Sequence, residues 1–191
     1  MRVIAGKFRS RPLLAPPGLD TRPTADRLRE TLFNVLTQGA ADRVAGAAFL
    51  DLYAGSGAVG IEALSRGAAS VTFVEQGAAA LAVLRKNLEN LGVRGVRVEK
   101  RSVGRFLRGA IEKTELGGFG VVFLDPPYAL ADEYGMTMGL LGRECASLLA
   151  EGAVVVAEHR KMVSLETGYG QLVRTRVLEQ GDAGLSFYQA G

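Results

Sequence analysis

The tetrapeptide Asp125-Pro126-Pro127-Tyr128 follows the apolar run VVFL. Consecutive prolines fix φ, remove two backbone donors and keep the residues before them extended. The Asp125 carboxylate and the Pro126 carbonyl can therefore point rigidly into a cleft, and both are acceptors. An exocyclic amine held by two acceptors turns its lone pair toward an electrophilic methyl group. Tyr128 supplies a flat face on which a purine or cytosine can stack. A base inside a helix would have to be flipped out, or lie in a loop where it is already unstacked. The plain alternative is a proline-stiffened turn with a packed tyrosine, and the position after an apolar strand weighs against it.

A second constellation lies upstream. Asp51 opens the segment DLYAGSGAVG, in which Gly55, Gly57 and Gly60 satisfy the pattern GxGxxG. Small residues let the backbone turn tightly and approach a ligand, and the helix that follows offers free N–H groups. Tyr53, Ala54, Gly55, Ser56 and Gly57 form the turn that a cofactor would meet. A tight strand–helix turn without a ligand would read the same, and there is no GKS or GKT for a nucleoside triphosphate. Glu75 lies twenty residues beyond Gly55, where a carboxylate can accept from both ribose hydroxyls. Asp51 would be awkward beside a pyrophosphate but suits a cationic amine. The pair favours S-adenosylmethionine, with its ammonium and sulfonium, over a dinucleotide.

These residues need a scaffold that gathers strand ends. AAFLDLY, SVTFVE (70–75), 95–99, FGVVFLD (119–125) and AVVVAEH (153–159) read as strands, and helices are expected from the glycine loop to about Gly67, then at 78–91, 102–113 and 131–150. Near-continuous apolar strands alternating with helices indicate a parallel sheet covered on both faces. GQLVRTRVLEQ and AGLSFYQA predict an antiparallel pair at the sheet edge. Residues 2–15 read as a short basic strand or hairpin ending at Pro16-Pro17-Gly18. Thr24 is placed to cap a helix bearing Leu28, Leu32, Val35 and Leu36 on one face. The fold class is thus α/β: a Rossmann-like sheet with an antiparallel C-terminal strand pair and a small basic N-terminal extension.

Composition narrows the chemistry. The 191 residues are 48% hydrophobic and 23% charged, enough for one domain with a small appendage. The net charge is +3, but residues 1–30 hold seven Arg or Lys against three acids, so the surplus is N-terminal, a footprint for a polyanion. One cysteine excludes an internal disulfide framework, and one histidine, His159, disfavours an imidazole metal site, so no metal is expected. Cys145 reads as a packed small side chain in an apolar helix, and His159 as a surface or RNA-adjacent residue rather than a catalytic base. The start MRVIAGKFRSRP has no apolar leader core, and the apolar runs are far short of a membrane span, so a cytoplasmic location is expected.

With these motifs in view, the chain resembles the bacterial small-subunit (16S) ribosomal-RNA guanine-N2 methyltransferases over nearly its whole length. RVIAGKFRSRPL, RPTADRLRETLFNVL, LDLYAGSGAVGIEALSRGA and FLDPPY are all similar to family segments. The RPT block is the more specific, since it lies outside the common cofactor fold. The resemblance implies that Asp51, Gly55 and Gly57 line the methionine side of S-adenosylmethionine and that Glu75 holds its ribose. It implies a guanine-amine site at Asp125, Pro126, Pro127 and Tyr128. Arg2, Lys7, Arg9 and Arg11, with Arg22, Arg27 and Arg29, would contact RNA phosphates or organise the substrate entrance. Such methyltransferases often place an acid after the third strand for the adenine amine; here Ser102 stands there. Residues 1–20 would form an RNA-binding extension and 21–191 the methyltransferase domain, a monomer acting on 16S rRNA in the small subunit or a late assembly intermediate. The tetrapeptide itself leaves an adenine or cytosine amine open. A nicotinamide-dependent oxidoreductase would leave DPPY without a purpose, and a non-catalytic RNA-binding or assembly protein would leave Asp51, Glu75 and DPPY idle.

Overall fold

The computed structural model describes residues 1–15, 23–38, 41–112, 118–127 and 132–190. Tyr128, Arg22 and the turn at 16–18 lie outside them. Five helices and eight strands occur in the described residues: α1 Pro23–Thr37, β1 Ala48–Leu52, α2 Ala58–Ser65, β2 Ser70–Val74, α3 Ala78–Asn90, β3 Arg97–Glu99, α4 Val103–Ile111, β4 Phe119–Leu124, α5 Asp132–Gly142, β5 Leu149–Arg160, β6 Gly168–Tyr169, β7 Leu172–Gln180 and β8 Ala183–Ala190. They form one sheet in the order β3-β2-β1-β4-β5-β8-β7-β6. The pairs from β3 to β5 are parallel, and β8 returns antiparallel against β5. The order reverses between β1 and β4, the switch point where open α/β sheets bind ligands.

Alternation along the strands sorts the core into two layers. Phe49, Phe73, Val121, Phe123 and Val156 face the layer that holds α1, α2 and α3. Leu50, Leu52, Val74, Val122, Leu124 and Ala157 face α4 and α5. Helix α1 joins the first layer through Leu28, Leu32, Phe33 and Leu36, and Phe33 stacks on Phe49 with ring centroids 6.3 Å apart. It begins at Pro23, so Thr24 lies inside the helix instead of capping it. Proline suits a first helical position, where its missing N–H has no partner to lose.

The basic start is pressed onto α2. Val3 and Leu13 are buried in the first layer, and a single antiparallel bridge, Arg2 to Pro12, replaces a full hairpin ladder. Glu62 is fully buried and accepts the N–H groups of Ile4 at 2.8 Å and Ala5 at 3.0 Å. Ser65 accepts from Phe8 N–H and donates to the Ala5 carbonyl. Gly6 has φ +79°, and a Cβ there would lie 1.8 Å from the Ser65 carbonyl oxygen. Only glycine allows that approach.

Three expectations are corrected. Helix α5 stops at Gly142 instead of running to 150, because the Gly142 carbonyl accepts from Gln171 N–H and its Cα lies against Tyr169. Cys145, fully buried, therefore sits in the turn after α5 and not within a helix; burial pushes its thiol pKa up. His159 is 4% exposed, not a surface residue. Strand β5 runs on to Arg160 beside β8, which brings the imidazole to the Ser186 hydroxyl at 2.9 Å and the Arg160 carbonyl at 2.9 Å. None of the described helices is long and apolar enough to cross a membrane.

Candidate active site at the carboxyl edge of the sheet

Four adjacent strands end in acids: Glu75 after β2, Asp51 within β1, Asp125 after β4 and Glu158 near the end of β5. Asp51 pairs with Phe73 and with Phe123, so Glu75 and Asp125 each lie two residues further along. Leu124 pairs with Ala157, which makes Asp125 and Glu158 next in register. Phe49, Phe73, Phe123 and Val156 all face the first layer. By the two-residue period of a strand, the four acids face that side too.

Asp51 is 1% exposed, and its carboxylate accepts the Gly60 N–H at 2.9 Å. Desolvation nevertheless pushes its pKa up to about 7, against that hydrogen bond and with help from the nearby charges of Asp125 and Glu75. Glu75 accepts Gly55 N–H at 2.8 Å and Gly77 N–H at 2.6 Å. It thereby ties the glycine loop to the end of β2, with lone pairs to spare for a ribose.

The loop glycines have different reasons. A Cβ on Gly57 would lie 2.2 Å from Leu84, and one on Gly60 2.3 Å from Phe73, so both are packing requirements. Gly55 has φ +56°, and among the described residues a Cβ there would meet only the Tyr53 carbonyl of its own turn, at 3.9 Å. That open space in front of a bent backbone suits a ligand. Tyr53 holds φ +61°, a conformation that costs a non-glycine residue roughly 1–3 kcal/mol. Its hydroxyl is fastened to Glu133 at 2.5 Å and Thr137 at 2.7 Å on α5. Burial and Glu133 push the phenol pKa well up. What Tyr53 presents to the loop is its backbone. Ala54 is held by its N–H on the Val74 carbonyl, and Ser56 by its carbonyl on Asn87 of α3. Ser102 caps α4 directly beyond β3, half-buried, with no hydrogen bond from its hydroxyl to the helix.

Asp125 and Glu158 are half-buried, and among the described residues no hydrogen bond reaches either carboxylate. Desolvation raises Asp125 to about 7. It raises Glu158 well above the usual carboxylate range, with Asp125 adding to the rise and Arg29 opposing it. Pro126 is buried and Pro127 exposed.

The donor set fits S-adenosylmethionine: a buried acid for an ammonium, an acid for ribose hydroxyls and an open glycine turn between them. Comparison with known proteins agrees. The family described as Conserved hypothetical protein 95 matches residues 1–189. Ribosomal RNA small subunit methyltransferase D of Escherichia coli is 41% identical over 160 residues, 83% of this chain and 74% of its own. YlbH of Bacillus subtilis, a candidate rRNA methyltransferase, is 36% identical across 99% of this chain and 98% of its own. A solved structure of a candidate methyltransferase from Escherichia coli has a TM-score of 0.82 at 33% identity and covers 100% of this chain and 97% of that one. The chain belongs to the ribosomal RNA methyltransferase family. It is an S-adenosylmethionine-dependent enzyme with a Rossmann-like fold.

In this family member the expected phosphate-facing cations divide. Arg2, Lys7, Arg9, Arg11 and Arg27 are exposed, although Arg11 also donates to the Asn90 carbonyl at 2.8 Å. Arg29 is a correction. It is 5% exposed, donates to the Arg2 carbonyl at 2.6 Å and to Asp26 at 3.1 Å, and lies 3.9 Å from Glu62. Its charge is used inside the fold, where it joins the basic start to α1 and acts on Glu158. Glu62 and Glu158 escaped the sequence reading. Glu158 carries the same signal as Asp51 and Asp125, an acid following apolar strand residues. Glu62 gives no signal beyond being an acid in an apolar helix.

Proposed function

We propose that this chain transfers a methyl group to the exocyclic N2 amine of a guanine in the 16S RNA of the small ribosomal subunit, as a monomer acting on the subunit or a late assembly intermediate. The observation that carries this reading is Asp125. It stands at the switch point, rigidified by two prolines and free of hydrogen-bond donors among the described residues, next to the strand that bears Asp51. Bound S-adenosylmethionine supplies an electrophilic methyl group on a sulfonium that leaves as a neutral thioether.

Around it, Asp51 takes the ammonium, Glu75 the ribose hydroxyls and Ser102 the adenine amine, while Tyr53, Ala54, Gly55, Ser56 and Gly57 shape the turn against the methionine part. The Asp125 carboxylate and the Pro126 carbonyl accept from the guanine amine and aim its lone pair, so the contribution is chiefly alignment. Positive charge develops on N2 and is met by a preorganised carboxylate in a partly desolvated site. A carboxyl near 7 is also matched to receiving the surplus proton at neutral pH. Pro127 and Tyr128 complete the base site. Arg2, Lys7, Arg9, Arg11, Arg22 and Arg27 position RNA through phosphates, which fix register and carry no sequence information. Arg29 organises the entrance from within.

Support for the RNA substrate comes from the relatives named for ribosomal RNA of the small subunit. The test incubates small subunits from cells lacking this gene with pure protein and labelled S-adenosylmethionine, digests the RNA and identifies the nucleoside by mass spectrometry. Label in N2-methylguanosine, abolished by Asp125→Ala, is expected. Cofactor binding without transfer to subunits, naked RNA or assembly intermediates would overturn the reading.

A further inference from the structure

Asp125 and the prolines hold an amine without saying whose amine it is. Guanine, adenine and cytosine each present an exocyclic NH2 and differ in the ring atom beside it. Guanine N1 bears a hydrogen, whereas the neighbouring ring nitrogen of adenine or cytosine bears a lone pair. A site that selects guanine therefore needs a second acceptor adjacent to the one holding the amine. A polar group left facing the wrong partner rejects a substrate far more strongly than a misfit of shape.

The sheet supplies such an acceptor. Asp125 and Glu158 are next in register on neighbouring parallel strands, on the face that carries Phe123 and Val156. Strands in that direction lie about 4.8 Å apart, a spacing that lets two carboxylates meet two adjacent donors on one base edge. The backbone of Glu158 is fixed on both sides. Its carbonyl accepts from the Tyr134 hydroxyl at 2.8 Å, and the residue pairs with Leu185 of β8. Its carboxylate, like that of Asp125, accepts no hydrogen bond among the described residues. Arg29, 5% exposed on α1, opposes the rise of the Glu158 carboxyl, and its Nε, 3.9 Å from Glu62, makes no hydrogen bond among the described residues. Burial and the Asp125 charge drive that rise; an N1–H donor adds the partner that favours the ionised form it requires.

We propose that Glu158 reads the base: its carboxylate accepts the N1–H of guanine while Asp125 accepts from the N2 amine, and the pair turns away adenine and cytosine. The inference rests on the guanine-N2 reading of the site. The Glu158→Gln variant keeps the shape and removes the charge, and its amide can donate where the carboxylate could only accept. The experiment uses small subunits reconstituted with RNA carrying guanine, or 2-aminopurine, at the methylated position mapped by mass spectrometry. 2-Aminopurine keeps the N2 amine but has a lone pair on N1.

Wild-type protein should prefer guanine by ~100-fold or more in kcat/KM, the scale on which an unpaired polar contact discriminates. Glu158→Gln should lose ~10- to 100-fold on guanine and at most about threefold on 2-aminopurine, with cofactor Kd unchanged. An equal loss on both bases would make Glu158 a positioning residue and overturn the inference, as would no loss on guanine. If wild-type protein leaves guanine unmethylated, the reading of the site fails with it. If wild-type protein methylates guanine and the two bases fall together, only the role of Glu158 fails. Glu158→Asp, which retracts the carboxylate, should show the same selective loss on guanine in a protein that keeps its charge; a uniform loss overturns the inference as well.

Discussion

The two halves of the acidic row are built differently. On one side Asp51 and Glu75 are fastened by the backbone N–H groups of Gly60, Gly55 and Gly77. On the other, Asp125 and Glu158 receive none from the described residues. The first half belongs to the glycine loop, so its carboxylates organise the turn as well as facing a ligand. The second half keeps its lone pairs for an amine that arrives with the RNA and leaves with it. Burial is the common cost. Even with a hydrogen bond, Asp51 rises to about 7, as high as Asp125 without one, because desolvation outweighs the Gly60 contact and the charges of Asp125 and Glu75 add to the rise.

The sharpest way to break this division is Asp125→Ala. If the second half serves only the acceptor, kcat/KM should fall by ~1000-fold, the scale of losing an electrostatic contact made in the transition state. Cofactor Kd from calorimetry should stay within about threefold. Equal losses in both would show the halves to be one site. The next effect is on stability. Glu62 is a buried acid that is fully paired, with Arg66 at 2.8 Å as well as two N–H donors. Glu62→Ala leaves the Ile4 and Ala5 N–H groups and Arg66 without their partner and takes one of two carboxylates from Arg29. It should cost ~3 kcal/mol in urea unfolding and make residues near Gly6 the first site of protease cleavage. A change under about 1 kcal/mol would mean that water replaces the carboxylate at once. Asp51→Ala follows. Losing a charged hydrogen bond of ~2 kcal/mol should weaken cofactor binding roughly 30-fold. Protein without cofactor should be no less stable at pH 8, since a buried charge has been removed; a drop in Tm there would show the Gly60 contact to outweigh burial.

Much of this was legible from the sequence because the sheet is made of uninterrupted apolar strands. The apolar runs of β1, β2 and β4 each give way to an acid at the carboxyl end, which is the signal for Asp51, Glu75 and Asp125. The same rule applied to AVVVAEH points to Glu158, but the lone histidine beside it is the more conspicuous side chain. His159 looked like a surface residue because strand 153–159 was expected to end there; the ladder with β8 extends it and buries the ring. Burial removes Arg29 from the phosphate-contacting half of the expectation for a related reason. A cluster of arginines reads as an electrostatic footprint, yet the helical period separates them: Arg29 stands three, four and seven residues before the buried Leu32, Phe33 and Leu36, whereas Arg27 precedes the polar Glu30, Thr31 and Asn34. What the period does not give is the partner, since Glu62 and the Arg2 carbonyl meet Arg29 only through the packing of residues 1–15 on α2.

Proton linkage divides the two halves by observable. The Asp51 and Asp125 carboxyls are both raised from 3.8 to about 7, so between those values the native protein binds more protons than the unfolded chain. Stability without cofactor therefore falls as pH rises through that window, by at most about 1.4 kcal/mol per unit for each carboxyl, and levels off above 7. The ammonium of S-adenosylmethionine favours ionised Asp51, so its affinity should rise by at most about tenfold per unit up to pH 7. It should decline again above about 8, where an α-amine loses its own charge. Ionisation of Asp125 should appear in kcat measured at saturating cofactor, as a rise through pH 7 absent from Kd. Titrations of Kd from pH 5.5 to 8.5 beside single-turnover rates separate the two. A flat Kd below pH 7 would mean that the Gly60 N–H holds Asp51 ionised despite its burial. The two halves would then differ in charge state as well as in hydrogen bonding.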